Sequence, residues 1–571
     1  NEKDNYSIIE SFVESLVWRK VETINENSED YINNIVFSFK GTYDLFWETI
    51  LAVTSIPEHY YNAYSLHNHL MNFSMADRDA EWTKFLKYKY DDDSSVKRLI
   101  DWAWSEDDKT HISDESIKLS SIALAWFHTS TNRQLRDCST KALVSLLQNR
   151  INVLIDVLKI FEKVNDPYVY ERLFAVAYGC ALRTNQKEML TELSEYIFET
   201  IFNVTTEIYP HILLRDYARG IIEYNIHLGY KPNIKIAKIR PPYKSSLNLK
   251  VITNDEIDSK YELDYKSENF KDYHWGQNSI LSSMATEYGG KMYGDFGRYT
   301  FESALRSWDV NTTHLSNISV EWIFEKYGYN VEKHGKFDRE IGSGRGRDTI
   351  PNERIGKKYQ WLALYEMLAR VSDNFKKFEE FSFKNEKEEK YQGPWSPYIR
   401  DIDPTILIKN TGSYNEDEKL NFWWADENVF DWKCSNVDWV KKNDNIPKIE
   451  SLIEVSDYEN EEWLVLEGYP EWAEPKKIGE EKWDYAHKRL WCHLRSYIVK
   501  EEEFDKFQNW AAKQSFMGRW MPESRDRYEI FNREYYWSTA YQYFNSEYYE
   551  GEQERDIHDK ETGEFISSVT I

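Results

Sequence analysis

The sequence predicts a mainly α-helical chain, a helical-repeat solenoid followed by an aromatic-rich α+β region, and three observations predict it. One local grammar recurs: Leu135-Arg136-Asp137, Asp166-Pro167-Tyr168-Val169-Tyr170-Glu171-Arg172 and Leu214-Arg215-Asp216 open apolar-periodic runs that end near Leu147, Leu182 and Leu228. Their spacing implies a repeat of roughly 40 residues, in the range of helical-pair solenoids. Apolar residues at helical spacing extend this texture toward the N-terminus. After Lys390 the helical signal fades while Trp and Tyr, 22 and 41 in the chain of 571 residues, become concentrated. Paired helices cannot bury their apolar stripes alone, so such units stack into one continuous core.

The first 235 residues read as solenoid. Ile8, Ile9, Phe12, Val13, Leu16 and Val17 form a helical stripe, and Thr42 to Val53 and Asn62 to Phe73 resemble it. The Asp-Asp-Asp-Ser-Ser run at 91–95 caps a helix through Trp104, and Ser113 caps one through Phe127, with Asp114 and Glu115 where the helix dipole favours acids. Asp-Pro-x-Val-x-x-Arg at 166–172, followed by Ala175, Ala177 and Gly179, resembles a HEAT repeat, or more broadly a HEAT/TPR-like unit. Pro opens the helix and small residues allow close approach. Arg136, Arg172 and Arg215 take comparable places, either as an anion-binding row or as structural partners. An acid beside each favours the structural role.

Pro232 and the Pro241-Pro242 pair end the solenoid. Residues 236–390 read as an α-rich mixed region: a strand at Leu247–Thr253, then helices over Ser279–Tyr288, Tyr299–Trp308, Ile318–Tyr327 and Glu353–Asn374. Residues 391–571 read as the aromatic-rich α+β region, with strand-like or buried pieces at Val455, Trp463–Glu467, Tyr497–Val499 and Phe565–Ile571, a helix at Glu503–Lys513, and an aromatic piece over Tyr528–Phe544. The aromatics either fill irregular cores or form an interface.

Charge bounds the partners. With 98 acidic against 72 basic residues the net charge is -26, which disfavours nucleic acid, whose phosphates would be repelled. Cys138, Cys180, Cys434 and Cys492 are far apart and form no CxxC, so a reducing cytoplasm is expected and neither disulfide framework nor zinc module is indicated. No apolar run reaches membrane-spanning length and no export signal is evident. An opening Asn and a final strand-like run suggest a part of a longer protein.

Asp295-Phe296-Gly297 lacks the catalytic and Gly-rich loops of a protein kinase and reads as a helix-entry cap. Gly342-Ser343-Gly344-Arg345-Gly346-Arg347 lacks the Gly-Lys-Ser/Thr ending of a phosphate loop. It does supply Arg345 and Arg347, followed by Arg354, Lys357 and Lys358. This basic cluster either contacts a partner or pairs with the chain's own acids; Trp395 and Trp520 join it as candidate partner contacts. His67 and His69, two apart on a helix, point to different faces and do not share a metal. No catalytic residue, cofactor or metal is expected.

LSSIALAW at 119–126, DPYVYERLFAVAYGCAL at 166–182, LRDYA at 214–218, ERIGKKYQW at 353–361, RDIDPT at 400–405 and FMGRWMPESR at 516–525 together resemble the C-terminal region of bacterial antiviral STAND NTPases of the AVAST type. The resemblance implies a cytoplasmic bacterial parent with an N-terminal effector, a central ATPase using ATP and magnesium, and this part as the sensor. That sensor would bind a phage protein, the large terminase subunit or the portal, and so trigger oligomerisation of the parent. Neither ATPase nor effector motifs occur here. Two alternatives remain: a metal-dependent nuclease or nucleotide-processing domain in 240–571 using acids such as Asp295, Glu302, Asp338 and Glu353, and a passive helical scaffold.

Overall fold

The computed structural model describes residues 2–39, 41–248, 250–286, 294–342, 352–378, 388–389, 402–405, 407, 430–456, 462–465, 467–468, 470–474, 488–496, 498–513, 554–558 and 565–570. The chain divides into two compact units, Asn1–Lys409 with Glu529–Tyr541, and Asn410–Tyr528 with Gln542–Ile571.

The first unit is helical. Its N-terminal part comprises α1 (Glu2–Trp18), α2 (Glu26–Tyr31), α3 (Thr42–Leu51), α4 (Ala63–Met71), α5 (Met75–Arg78), α6 (Lys84–Tyr88) and α7 (Ser95–Trp104). The repeat block follows as α8 (Asp114–Trp126), α9 (Arg133–Leu147), α10 (Ile151–Ile160), α11 (Pro167–Arg183), α12 (Leu190–Ile197) and α13 (Ile212–His227). Within it α8, α10 and α12 pack in one row and α9, α11 and α13 in another, the two layers of a helical-pair solenoid. Four of its six helices, α8, α9, α11 and α13, have a side-chain cap: Ser113 accepts from Ser116 N, Asn132 from Leu135 N, Asp166 from Tyr168 N and His211 from Leu214 N. These bonds satisfy amides that a helix's first turn otherwise leaves unpaired. After α13, Gly229 at φ 90 takes the left-handed conformation that closes helices at little cost to glycine.

Residues beyond 235 share this core. They contribute α14 (Asn254–Tyr261), α15 (Trp275–Ser283), α16 (Ser303–Leu305), α17 (Thr312–Glu321), α18 (Val331–Gly342) and α19 (Ile355–Asn374), then the short ladder of β1 (Lys377–Phe378) and β2 (Glu388–Glu389). The strand expected at 247–253 is absent among the described residues. Thr253 instead caps α14 in a reciprocal box with Glu256, so local side-chain capping outweighs β propensity.

Helix α19 is buried on nearly every side, which explains why its sequence mixes faces. It lies across the starts of the repeat helices: Glu353 N donates to Thr131 O (3.0 Å), Lys358 reaches Asp166, Tyr365 packs on His211 at 5.0 Å between rings, and Asp373 pairs with Arg215 at 2.9 Å. Lys358 and Tyr365 are seven residues apart, a rise of about 10.5 Å at α-helical pitch. That matches the ~8–10 Å between packed helix axes, so α19 meets successive repeats with successive pairs of turns.

In the second unit a four-stranded antiparallel sheet has the order β7 (Arg489–Trp491), β6 (Glu471–Ala473), β10 (Phe565–Thr570) and β9 (Glu554–His558), with Trp472 opposite both Leu490 and Val569. Short ladders join β3 (Glu454–Ser456) to β4 (Glu462–Leu464) and β5 (Glu467–Gly468) to β8 (Leu494–Arg495). The strands expected near Val455, Trp463 and the C-terminus are present; Ile498 and Val499 are not in a strand. Trp472 is fully buried with Phe430, Leu452 and Leu494, and Trp432 and Trp439 pack against them, whereas Trp463 is exposed. Aromatics here both fill a core and face solvent. The aromatic piece at 528–544 lies outside the described residues.

Candidate functional site

Two charged constellations stand out in the first unit, one buried at the starts of the repeat helices and one open at their ends. The buried one joins Arg78, Asp79, Asp166 and Lys358, all with wholly buried side chains. Lys358 Nζ donates to Asp79 Oδ1 (2.8 Å), Asp166 Oδ2 (2.8 Å) and Thr129 O (3.1 Å). Arg78 donates to Leu70 O (2.9 Å) and Asn165 Oδ1 (2.6 Å), lies 3.8 Å from Asp166 and covers the Trp126 ring. A π-helical turn at Asp79–Thr83 brings Thr83 Oγ1 within 2.8 Å of the same Asp79 oxygen. Two cations balance two carboxylates, which makes this an internal joint between segments far apart in sequence.

The expected basic cluster is therefore not one open patch. Lys358 is corrected from partner contact to interior residue: two carboxylates and a carbonyl take all three of its N–H donors. Lys357 is half-buried with Nζ 4.3 Å from the centre of the Phe296 ring, and burial pulls its amine down to about 8. Arg354 occupies the N-cap position of α19 beside Asp338. Arg345, Arg347, Trp395 and Trp520 lie outside the described residues.

The arginine row is structural. Arg172 donates to Asp137 of the preceding repeat at 3.1 Å, Arg215 pairs with Asp373 of α19, and Arg136 donates to Ser130 O (2.8 Å) over the Tyr168 ring. The acids weighed for metal chemistry have protein partners as well. Asp338 accepts from Ile355 N (2.6 Å), Gly356 N (2.9 Å) and Tyr329 OH (3.0 Å); burial raises its carboxyl to about 6 although Arg354 and these bonds oppose the rise. Glu353 pairs with Arg133, Asp295 accepts from Ser283 and Phe296 N, and Glu302 from Thr312. Among the described residues no group of three or more potential ligands could hold a metal ion, and no helix is long and apolar enough to cross a membrane. His67 and His69, on α4, are held at about 4 by burial.

The open constellation was not singled out in the sequence. Residues 402–405 and Leu407 run over the far ends of α7, α9 and α11, held by backbone carbonyls. Lys141 Nζ donates to Asp403 O (2.6 Å), Arg183 Nη1 to Thr405 O (2.9 Å) and Trp104 Nε1 to Leu407 O (3.0 Å). Gly179 makes room, since a Cβ there would lie 2.5 Å from Pro404 O. Beside this segment opens a cleft of about 830 Å³ lined by residues 104–110, 145–146 and 148–150 together with Asp114, Asn152, Arg183, Gln186, Thr405 and Leu407. Its amides tie neighbouring repeats: Gln148 Oε1 accepts from Arg183 (2.9 Å), Asn149 Oδ1 from Asn185 N (3.0 Å) and Gln186 Oε1 from Ile151 N (3.2 Å). The cleft needs tertiary structure to exist, and no reading of the sequence pointed to it.

No family model, curated protein or solved structure matches the chain in comparisons with known proteins.

Proposed function

We propose that this chain is the target-recognition region of an antiviral STAND NTPase of the AVAST type, binding a phage protein, either the large terminase subunit or the portal. In the bacterial cytoplasm, capture of that protein would trigger oligomerisation of the parent, whose ATPase, with ATP and magnesium, and whose effector belong to other segments. The observation that carries the reading is the grip on 402–405 and Leu407. Three neighbouring helices of one layer, α7, α9 and α11, hold polypeptide through carbonyl oxygens, which every protein target possesses, and stacked repeats extend such a surface. The sequence resemblance supplies the class of target.

Calorimetric titration of the purified chain with a large terminase subunit and, separately, with a portal protein tests this reading. A complex with one of them at a Kd below about 1 µM, some -8 kcal/mol, is the expected result. Saturable binding of neither overturns it.

A further inference from the structure

We propose that the rim cleft beside residues 402–405 is a binding site for a non-helical, basic polypeptide segment, an inference that rests on the recognition reading only for who supplies the segment. The chain itself provides the precedent, because the same rim already holds a stretch of irregular backbone by alternate carbonyls. A segment outside regular structure has carbonyls to offer, and buried or half-buried side-chain donors are what they meet.

The cleft supplies such donors. Gln148, Asn149 and Gln186 line the cleft and each commits its amide oxygen to the protein, so the group that each has left to offer an incoming carbonyl is the NH2 donor.

Charge selects the side chains. The cleft's cations aim their N–H groups at protein oxygens, Lys109 Nζ at Ser105 O (2.7 Å) and Asp107 O (3.1 Å), Arg150 at Lys109 O (2.6 Å) and Asp114 (3.4 Å), and Arg183 at Gln148 and Thr405; these three keep their charge and are outnumbered by four lining carboxylates, Glu106, Asp107, Asp108 and Asp114. Glu106, Asp107 and Asp108 are exposed on the facing wall. Asp107 accepts from Ser105 Oγ and Asp108 from Thr110, neutral donors that leave the carboxylate charge in place. The wall therefore attracts Lys or Arg.

The test uses the whole chain and a fluorescent decapeptide of alternating Lys and Ser, followed by anisotropy, with an alternating Glu-Ser peptide as control. Saturable, salt-sensitive binding of the Lys-Ser peptide alone is expected. The triple variant Glu106→Ser, Asp107→Ser, Asp108→Ser should weaken it at least about tenfold, and Gln148→Leu with Gln186→Leu should weaken it without changing its salt dependence. Glu106, Asp107 and Asp108 are exposed and Gln148 and Gln186 half-buried, and an unchanged melting temperature verifies the fold of each variant. Absence of saturable binding, or equal binding by the variants, overturns the proposal. A chain that binds the peptide but neither phage protein supports the cleft and overturns the recognition reading; a chain that binds a phage protein yet takes no peptide does the reverse.

Discussion

Lys358 Nζ lies 2.8 Å from the Asp166 carboxylate, and Asp166 is also the residue that caps helix α11 through Tyr168 N. One side chain thus serves as the start of a repeat helix and as the seat of an ammonium from 192 positions later in the chain. The joint fixes α19 against the repeat row at one point, and the spacing of its turns then sets the next contacts, Tyr365 on His211 and Asp373 on Arg215.

Removing the ammonium should be severe. Lys358→Met leaves Asp79 and Asp166 buried with unbalanced charge, which typically costs about 3–5 kcal/mol. Urea denaturation should show this loss, and adding Asp79→Asn should recover part of it because one surplus charge disappears. An unchanged midpoint for Lys358→Met would mean that the side chain is not in this joint.

Gly179→Ala should destabilise the protein by about 1–3 kcal/mol through overpacking, even though Ala is the better helix former by roughly 0.5–1 kcal/mol. The added methyl meets Pro404 O and Val144, so residues 402–405 should lift away. Faster proteolysis near Asp403 with the solenoid intact is the expected signature.

Stability should fall on acidification below neutrality. Burial holds His67 and His69 at about 4, against 6.5 ordinarily, and holds fully buried His128 well below its ordinary value. As pH drops from 6.5 toward 4 the unfolded chain takes up these protons first, which favours unfolding. Asp338 acts oppositely, since its carboxyl at about 6 is protonated in the folded protein before the unfolded one. Burial lowers His334 as well and raises Asp44, Glu81 and Asp373, but the histidine shifts lie across this pH range and leave a net loss, about 2–3 kcal/mol for each of His67 and His69 by pH 4. Melting temperatures measured from pH 7 to 5 should decline, less steeply for His69→Phe and more steeply for Asp338→Asn.

The sequence made the local grammar legible. The cap at Ser113 and the helix or repeat starts at Asn62, Leu135, Asp166 and Leu214 depend on residues within one helical turn, and helices form at each of them. Helix α18 went unread because its stripe is broken by Gly335 and charged residues; its buried face of His334, Phe337 and Asp338 is polar as well as apolar. The charge of Lys358 read as surface, because nothing within its own helix signals the carboxylates of Asp79 and Asp166. The rim cleft was hidden for the same reason, since its walls come from the ends of three helices and a segment more than 200 residues downstream of Arg183.

Whether the solenoid rim grips polypeptide is decided by amide hydrogen exchange on the chain with and without the phage protein proposed as its target. Protection confined chiefly to residues 104–110, 148–152 and 183–186 is the predicted result. Protection elsewhere, with these three loops exchanging as fast in the complex as alone, would contradict it.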